Sequence, residues 1–213
     1  AQVGEVGFLD GLTPWGPARG ATKVTLRNGQ ERYIPKGELS ESQQRLYASL
    51  QNRPEVQANG LVGPFAVWMH APDLGAPMAA LGAGIRFQAS LPANATEVAI
   101  CTTGVFYGAS FEVAAHRPLA IRAGVDAAAL DRLAAGDEPA FSGDEAIAHA
   151  VASELLRTQT LSAETHRLAA DRFGPQGVVE LVTTVGYYAL NALLLNAFEI
   201  ELAPGMEDPL ADR

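Results

Sequence analysis

Glu112 and His116 are the pair of side chains in this sequence that most clearly points to chemistry. They are four residues apart in a segment of helical character, so both lie on one face of a helix and can interact. A carboxylate beside an imidazole raises the pKa of the imidazole and fixes its tautomer. Such a pair can act as general acid and base near neutral pH. Glu97, on the preceding predicted helix, is expected to converge on the same pocket.

Each of these residues also has a purely structural interpretation. Glu97 is the third residue after Asn94, where a glutamate completes a capping box. As a surface ion pair, Glu112 and His116 would contribute only about 0.3–0.5 kcal/mol. Their apolar neighbours within Phe111–Ala115 favour a buried pair instead, and a buried pair of this kind is a candidate site.

Four further side chains are candidates for substrate binding. Trp68 and His70 lie in a proline-rich loop, Arg86 is the local cation expected to meet an acidic substrate, and Tyr107 ends the helix that begins near Glu97. The alternatives are that His70 bonds to a loop carbonyl and that Arg86 pairs with a surface carboxylate. Aromatic residues at helical spacing, such as Tyr107, are typical of a core.

The remaining thiol and imidazole groups carry weaker signals. Cys101 is the only cysteine, which excludes an intrachain disulfide and a zinc site built from several thiolates. A single cysteine in an apolar helix is typical of a small core residue. His149 and His166 lie on later predicted helices and are expected to be solvated. No metal is predicted, because no other spacing typical of metal ligands stands out.

The elements that position these residues are predicted to be helices. Capping signals and apolar periodicity predict helices over about 40–52, 73–90, 94–107, 110–123, 126–135, 142–157, 162–172 and 176–198. Prolines and glycines break residues 53–72. Helices joined by short loops form a compact all-α bundle. The last helix is apolar on most faces, so we expect it to be central or to lie in an oligomer interface.

Residues 1–39 are predicted to form an irregular extension that contains a short β-hairpin. Residues 23–27 and 30–34 flank Asn28-Gly29, a pair that suits a two-residue turn. The predicted domains are this extension, a helical domain over 40–204 and an acidic tail over 205–213.

The spacing of the site residues resembles a motif of the alkyl hydroperoxidase D (AhpD) and carboxymuconolactone decarboxylase family. That motif has a Glu, a Cys twelve positions later, a second Cys three further and a His four further. Glu97 and His116 stand at the first and last positions, but Ala109 and Glu112 replace the cysteines. Peroxidase chemistry of this kind requires an attacking thiolate and a resolving thiol, so it is not expected here.

Two other segments are similar to members of this family. Asn59–Pro72 resembles a segment near the start of many members, and Gly177–Asn196 resembles their last helix, so the resemblance covers about 46–204. A Glu in place of the second Cys is similar to the decarboxylase side of the family. The resemblance implies an AhpD-like helical bundle that assembles as a homotrimer or homohexamer.

The residues and the resemblance together predict a cofactor-independent lyase or decarboxylase acting on a small lactone or keto acid. His116 would move the proton, Glu112 would orient it and raise its basicity, and Glu97 would position water or substrate. No metal or organic cofactor is required, since the electron sink lies within the substrate. The alternatives are a non-catalytic oligomeric binding protein of the same fold and a redox protein that uses Cys101.

Composition limits the possible partners. The net charge of −9 argues against nucleic-acid binding, which requires a basic face. The most apolar segment, Gly177–Ile200, contains Glu180 and Glu199, so no membrane crossing is expected. We expect a cytoplasmic protein, or an exported one if Ala1 marks a processed N-terminus.

Overall fold

The computed structural model describes four short strands before residue 36, and then residues 39–53, 56–57, 60–202 and 205–211. Within 39–53 and 60–202 the chain forms eight helices, and this part of the chain is all-α, as predicted. They are α1 (Glu41–Leu50), α2 (Pro64–Trp68), α3 (Pro72–Phe87), α4 (Ala93–Tyr107), α5 (Ser110–Arg122), α6 (Ala127–Ala135), α7 (Gly143–Thr158) and α8 (Ala163–Ala197).

The predicted hairpin with a two-residue turn is wrong. The strands are β1 (Leu12–Thr13), β2 (Gly16–Pro17), β3 (Ala21–Thr25) and β4 (Glu31–Pro35). Thr25 pairs with Glu31, which is one residue out of the register that a turn at Asn28-Gly29 requires. The turn itself lies outside the described residues. The Asn-Gly dipeptide favours a turn locally, but the register of the two strands also depends on their hydrophobic pattern. In the described ranges after residue 38 there is no strand, so no hairpin belongs to the helical fold.

Helices α1 and α6 are among those that begin at caps predicted from the sequence. The Ser40 hydroxyl accepts a hydrogen bond from the backbone N–H of Gln43, whose side chain accepts one from the N–H of Ser40. Asp126 caps α6 by accepting a bond from the N–H of Ala128. These bonds satisfy donors that the first turn of a helix leaves unpaired.

The capping box predicted at Asn94 is wrong. Helix α4 begins at Ala93, after Pro92, and no side chain caps it. The amide of Asn94 donates instead to Glu145, 3.2 Å away. Glu97 is therefore not used as a cap, and its carboxylate is directed elsewhere.

The predicted break between the last two helices is confirmed. Gly174 has φ 70° and ψ 175° inside α8, and Pro175 follows it. Only glycine adopts this backbone conformation readily, and proline starts a new helical segment well. In the segment expected to be irregular, Pro64 likewise starts the short helix α2.

The chain divides into two compact units, one of Ala1–Leu81 with Leu194–Met206 and one of Gly82–Leu193 with Glu207–Arg213. The first unit has a small core in which Leu46, Leu50 and Trp68 are almost fully buried. The side chain of Gln43 donates to the carbonyl of Met69 at 2.8 Å and ties α1 to the end of α2.

Helix α4 is the centre of the second unit. Every residue within Ala95–Val105 is buried, and α4 packs most extensively against α7 and α5. The apolar core around it includes Leu130, Val151 and Leu181. The burial of side chains of this size contributes about 1.5–3 kcal/mol each. This core fixes the backbone on which the polar residues of α4 are mounted.

One helix of the described residues is long and apolar enough to cross a membrane, Ala163–Ala197, contrary to the expectation that none is. Half of its most apolar stretch is buried inside the structure, and core helices of soluble proteins can have the same length and composition. The kink at Gly174 divides it. Length and composition alone are therefore weak grounds for a membrane span.

Candidate functional site

Glu97, Glu112 and His116 meet inside the second unit. Nδ1 of His116 lies 2.7 Å from Oε2 of Glu97, and Nε2 lies 3.2 Å from Oε1 of Glu112. The exposed fractions of the three residues are 8%, 4% and 7%. The imidazole is thus held at both nitrogens by carboxylates that are almost shielded from water. We refer to these three residues as the buried triad.

The local sequence explains how the triad is brought together. Glu112 and His116 are one turn apart on α5, so their contact follows from helix geometry. Glu97 comes from α4, which must approach α5 closely. Gly104 permits that approach, because a Cβ atom there would lie 2.8 Å from a methyl group of Val113 and 3.4 Å from Cβ of Glu112.

The electrostatics of the triad favour a charged imidazole. Burial alone would lower the pKa of His116, but the hydrogen bonds to Glu112 and Glu97 and their negative charges outweigh it and raise the pKa to about 9. At neutral pH His116 is therefore an imidazolium that donates an N–H to each carboxylate. Glu97 contacts the ring at Nδ1, and its expected role in positioning water or substrate stays a prediction.

Tyr188 is the aromatic neighbour of the buried triad. Its ring packs edge-on against His116, with centroids 5.0 Å apart and an interplanar angle of 82°. Burial raises the pKa of Tyr188 well above its usual value, Glu112 raises it further, and Arg86 lowers it. Tyr188 was not among the predicted site residues. The tyrosine pair Tyr187-Tyr188 in the apolar second half of α8 was the available signal.

The predicted binding residues occupy different environments. Arg86 is half-buried, and its guanidinium carbon lies 5.4 Å from the ring centroid of Phe87. Tyr107 is half-buried and packs against the apolar core of the second unit. Trp68 and His70 belong to the first unit, where Trp68 is buried and His70 is exposed. Their role in substrate binding stays a prediction.

Cys101 is a core residue, as predicted, with an exposed fraction of 1%. Burial raises the pKa of its thiol, and the charges of Glu97 and Glu112 raise it further. A thiol in this environment stays protonated, and the thiol form is a poor nucleophile.

His149 contradicts the expectation that it is solvated. It is half-buried, and its Nδ1 lies 3.0 Å from the hydroxyl of Thr102. Solvation cannot be inferred from the apolar pattern of α7 alone, because the partner is supplied by α4. His166 is exposed, as expected. Among the residues that the structure describes, no group of three His, Cys, Asp or Glu side chains is arranged to hold a metal ion.

Comparisons with known proteins extend the description of the fold. No protein-family model matches the chain, and no curated protein matches it. Among solved structures, the apo crystal structure of the debrominase Bmp8 matches with a TM-score of 0.56 and 12% sequence identity, over 89% of this chain and 94% of that chain. At this identity the likeness shows the fold alone. The two chains thus share a helical fold that extends over nearly their whole lengths.

Proposed function

We propose that this protein is a cofactor-independent proton-transfer enzyme of the lyase or decarboxylase type, acting on a small lactone or keto acid. The observation that supports this most directly is the buried contact of the His116 imidazole with the carboxylates of Glu97 and Glu112. We also propose that the chain is an AhpD-like and carboxymuconolactone decarboxylase-like protein without the thiol pair. The motif positions of Glu97 and His116 support that relation.

The proposed reaction uses His116 as the acid. The bond between the substrate carboxylate and its neighbouring carbon breaks, carbon dioxide leaves, and the electron pair moves into the lactone or ketone carbonyl to give an enolate. The imidazolium then donates its proton to carbon, and solvent returns a proton to the imidazole. A carbonyl that accepts the electron pair supplies the electron sink, so the protein contributes orientation and proton transfer.

The two carboxylates have different proposed roles. Glu97 makes the shorter contact, 2.7 Å to Nδ1, and would anchor and orient the ring. Glu112 makes the longer contact, 3.2 Å to Nε2, so this is the nitrogen that a substrate atom can approach with the smaller loss of hydrogen bonding. We therefore propose that the proton leaves from Nε2.

An acidic substrate could bind at this site only if a positively charged side chain lies near it. Two carboxylates and one imidazolium leave the triad with a net negative charge, which repels an anion. Arg86 acts electrostatically on Tyr188, whose ring contacts His116. Arg86 is thus the proposed partner of a substrate carboxylate, while Trp68, His70 and Tyr107 remain proposed binding residues.

Self-association is proposed as part of the functional form, as a homotrimer or homohexamer. Val179, Val182, Leu190 and Leu193 are exposed along α8. Their spacing of three, eight and three residues places them on one side of the helix. A continuous apolar stripe of this kind is typical of a protein interface. A non-catalytic oligomeric binding protein would use the same stripe and is the alternative function.

The test is NMR in heavy water with a panel of small lactones and keto acids, following decarboxylation and deuterium uptake. The wild type is compared with His116→Gln, and His166→Gln serves as the matched exposed-histidine control. Turnover that is lost only in His116→Gln supports the proposal. Equal turnover in His116→Gln and the wild type contradicts it, and no turnover of any compound favours the binding protein.

A further inference from the structure

A second polar cluster lies in a cavity of the same unit. The cavity has a volume of about 220 Å³ and is lined by residues of α4, α6 and α7 and of the loop after α6. Thr102 and His149 meet there with 3.0 Å between the hydroxyl oxygen and Nδ1, and the hydroxyl of Ser153 lies 3.4 Å from Nε2. None of these side chains has a role in the proposed proton transfer.

Thr102 departs from the usual behaviour of a threonine in this helical chain. Four other threonines, Thr96, Thr103, Thr158 and Thr184, donate to the carbonyl four residues earlier. The hydroxyl of Thr102 contacts His149 instead. Thr102 is five residues after Glu97, which places the two side chains about 140° apart around α4. The cavity and the triad therefore use different faces of the helix.

The lining of the cavity favours a neutral ligand with one polar end. Val105, Leu133 and Leu156 supply an apolar surface. Burial lowers the pKa of His149, which favours the neutral form of the ring. Neutral imidazole and hydroxyl groups both donate and accept hydrogen bonds. Asp137, Glu138 and Arg157 also line the cavity, where Glu138 raises and Arg157 lowers the pKa of His149.

We propose that this cavity binds a small neutral molecule that carries a hydroxyl or carbonyl group on an apolar body, with its polar group on Thr102, His149 and Ser153. The volume sets the size of the ligand. An engineered apolar cavity of about 150 Å³ is known to hold benzene, so a cavity of 220 Å³ accommodates a ring with a polar substituent.

The test is a titration of the full chain with phenol, observed through the histidine ring resonances by proton–carbon NMR. His149 is expected to shift saturably, while exposed His166 does not. Toluene lacks the hydroxyl, and benzoate carries a charge. Toluene is expected to bind at least about tenfold more weakly than phenol, which corresponds to one lost hydrogen bond. Benzoate is expected to bind at least about tenfold more weakly because its charge must be buried. An unsaturable His149 response, equal binding of toluene, or a saturable shift at His116 alone would overturn the proposal.

Two variants localise the binding. Thr102→Val keeps the shape of the side chain and removes its hydroxyl, so phenol binding should weaken about tenfold. Ser153→Phe fills the cavity, so the saturable shift of His149 should disappear while the His116 resonance stays at its wild-type position. Unchanged phenol binding in Thr102→Val overturns the proposed site, and this variant decides the matter if Ser153→Phe does not fold.

Discussion

Nδ1 of His116 lies 2.7 Å from Oε2 of Glu97, although nineteen residues separate them in the chain. The contact joins two packed helices and is almost closed to solvent. The other nitrogen of the ring faces Glu112 at 3.2 Å. The protonation state of His116 is therefore set by two carboxylates from different helices, and it determines the three predictions that follow.

Replacing Glu97 by Gln should lower the pKa of His116 from about 9. The amide keeps a similar shape but removes the negative charge that stabilises the imidazolium. The pKa is measured by NMR titration of the His116 ring protons. Glu164→Gln, at an exposed position at the start of α8, is the control and should leave the titration unchanged. If the pKa of His116 stays near 9 in Glu97→Gln, the carboxylate of Glu97 is not what raises it.

The free energy of unfolding should fall as pH rises from neutral to alkaline. The pKa of His116 is about 9 in the folded protein against an ordinary value of 6.5, so the folded state binds the proton more tightly. The stabilisation is fully present below pH 6.5 and is lost as pH rises through about 9. The shift corresponds to roughly 3 kcal/mol. Urea unfolding at a series of pH values measures it. The decline should be much smaller in Glu97→Gln, and an equal decline in both proteins would assign it to other groups.

If turnover is found, its rate should fall on the alkaline side with an apparent pKa near 9, because the imidazolium of His116 is the proposed acid. In Glu97→Gln this limb should move to lower pH together with the pKa seen by NMR. Substitution of His116 by Gln should reduce turnover by about 10²–10⁴-fold, which is typical for the loss of a general acid. A pH profile that does not move with the measured pKa of His116 would argue for a different proton donor.

Two glycines of α3 should respond in opposite directions to alanine. A Cβ atom at Gly82 would collide with the hydroxyl and ring of Tyr187, whereas one at Gly84 would meet nothing within 4 Å. Gly82→Ala should destabilise the protein by about 1–3 kcal/mol. Gly84→Ala should stabilise it by up to about 1 kcal/mol through helix propensity. Thermal or urea unfolding of both variants measures the difference. Destabilisation by Gly84→Ala would contradict the open space assigned to that position.

Cys101 should not react with a thiol reagent in the native protein near neutral pH. Its thiol is buried and its pKa is raised by burial and by Glu97 and Glu112. Labelling in the native state and in urea measures the difference, with full reaction expected only after unfolding. Cys101→Ala should keep any lyase turnover. Fast native labelling would reopen the redox alternative.

Some of this site was predictable from sequence, and some was not. The four-residue spacing of Glu112 and His116 determines their contact, because helix geometry is local. The position of Glu97 suggested a cap as strongly as a site residue, and only the packing of α4 on α5 shows which role it has. His149 was misjudged for the same reason, since its partner Thr102 comes from another helix. The helix break at Gly174 was predictable because its cause, a glycine followed by a proline, is visible in the local sequence.

The register of the strands before residue 36 could not be predicted from Asn28-Gly29 alone. Register is set by the hydrophobic pattern of both strands together with the geometry of the turn, and the dipeptide is only one part of that information. The all-α class of the helical part, in contrast, follows from many independent caps and apolar repeats. Because several weak signals agree, the prediction of the fold class is stronger than the prediction of any single turn or helix boundary.

Helix α4 has a consequence for how this protein can change during evolution. All residues within Ala95–Val105 are buried, so this stretch has no face on which substitutions accumulate at little cost. Glu97 points from one side of it and Thr102 from another. A mutational scan of the whole chain should therefore show a continuous intolerant band here, in place of the alternating tolerance of a surface helix. Variation in ligand preference must then come from the neighbouring helices, while α4 itself changes slowly.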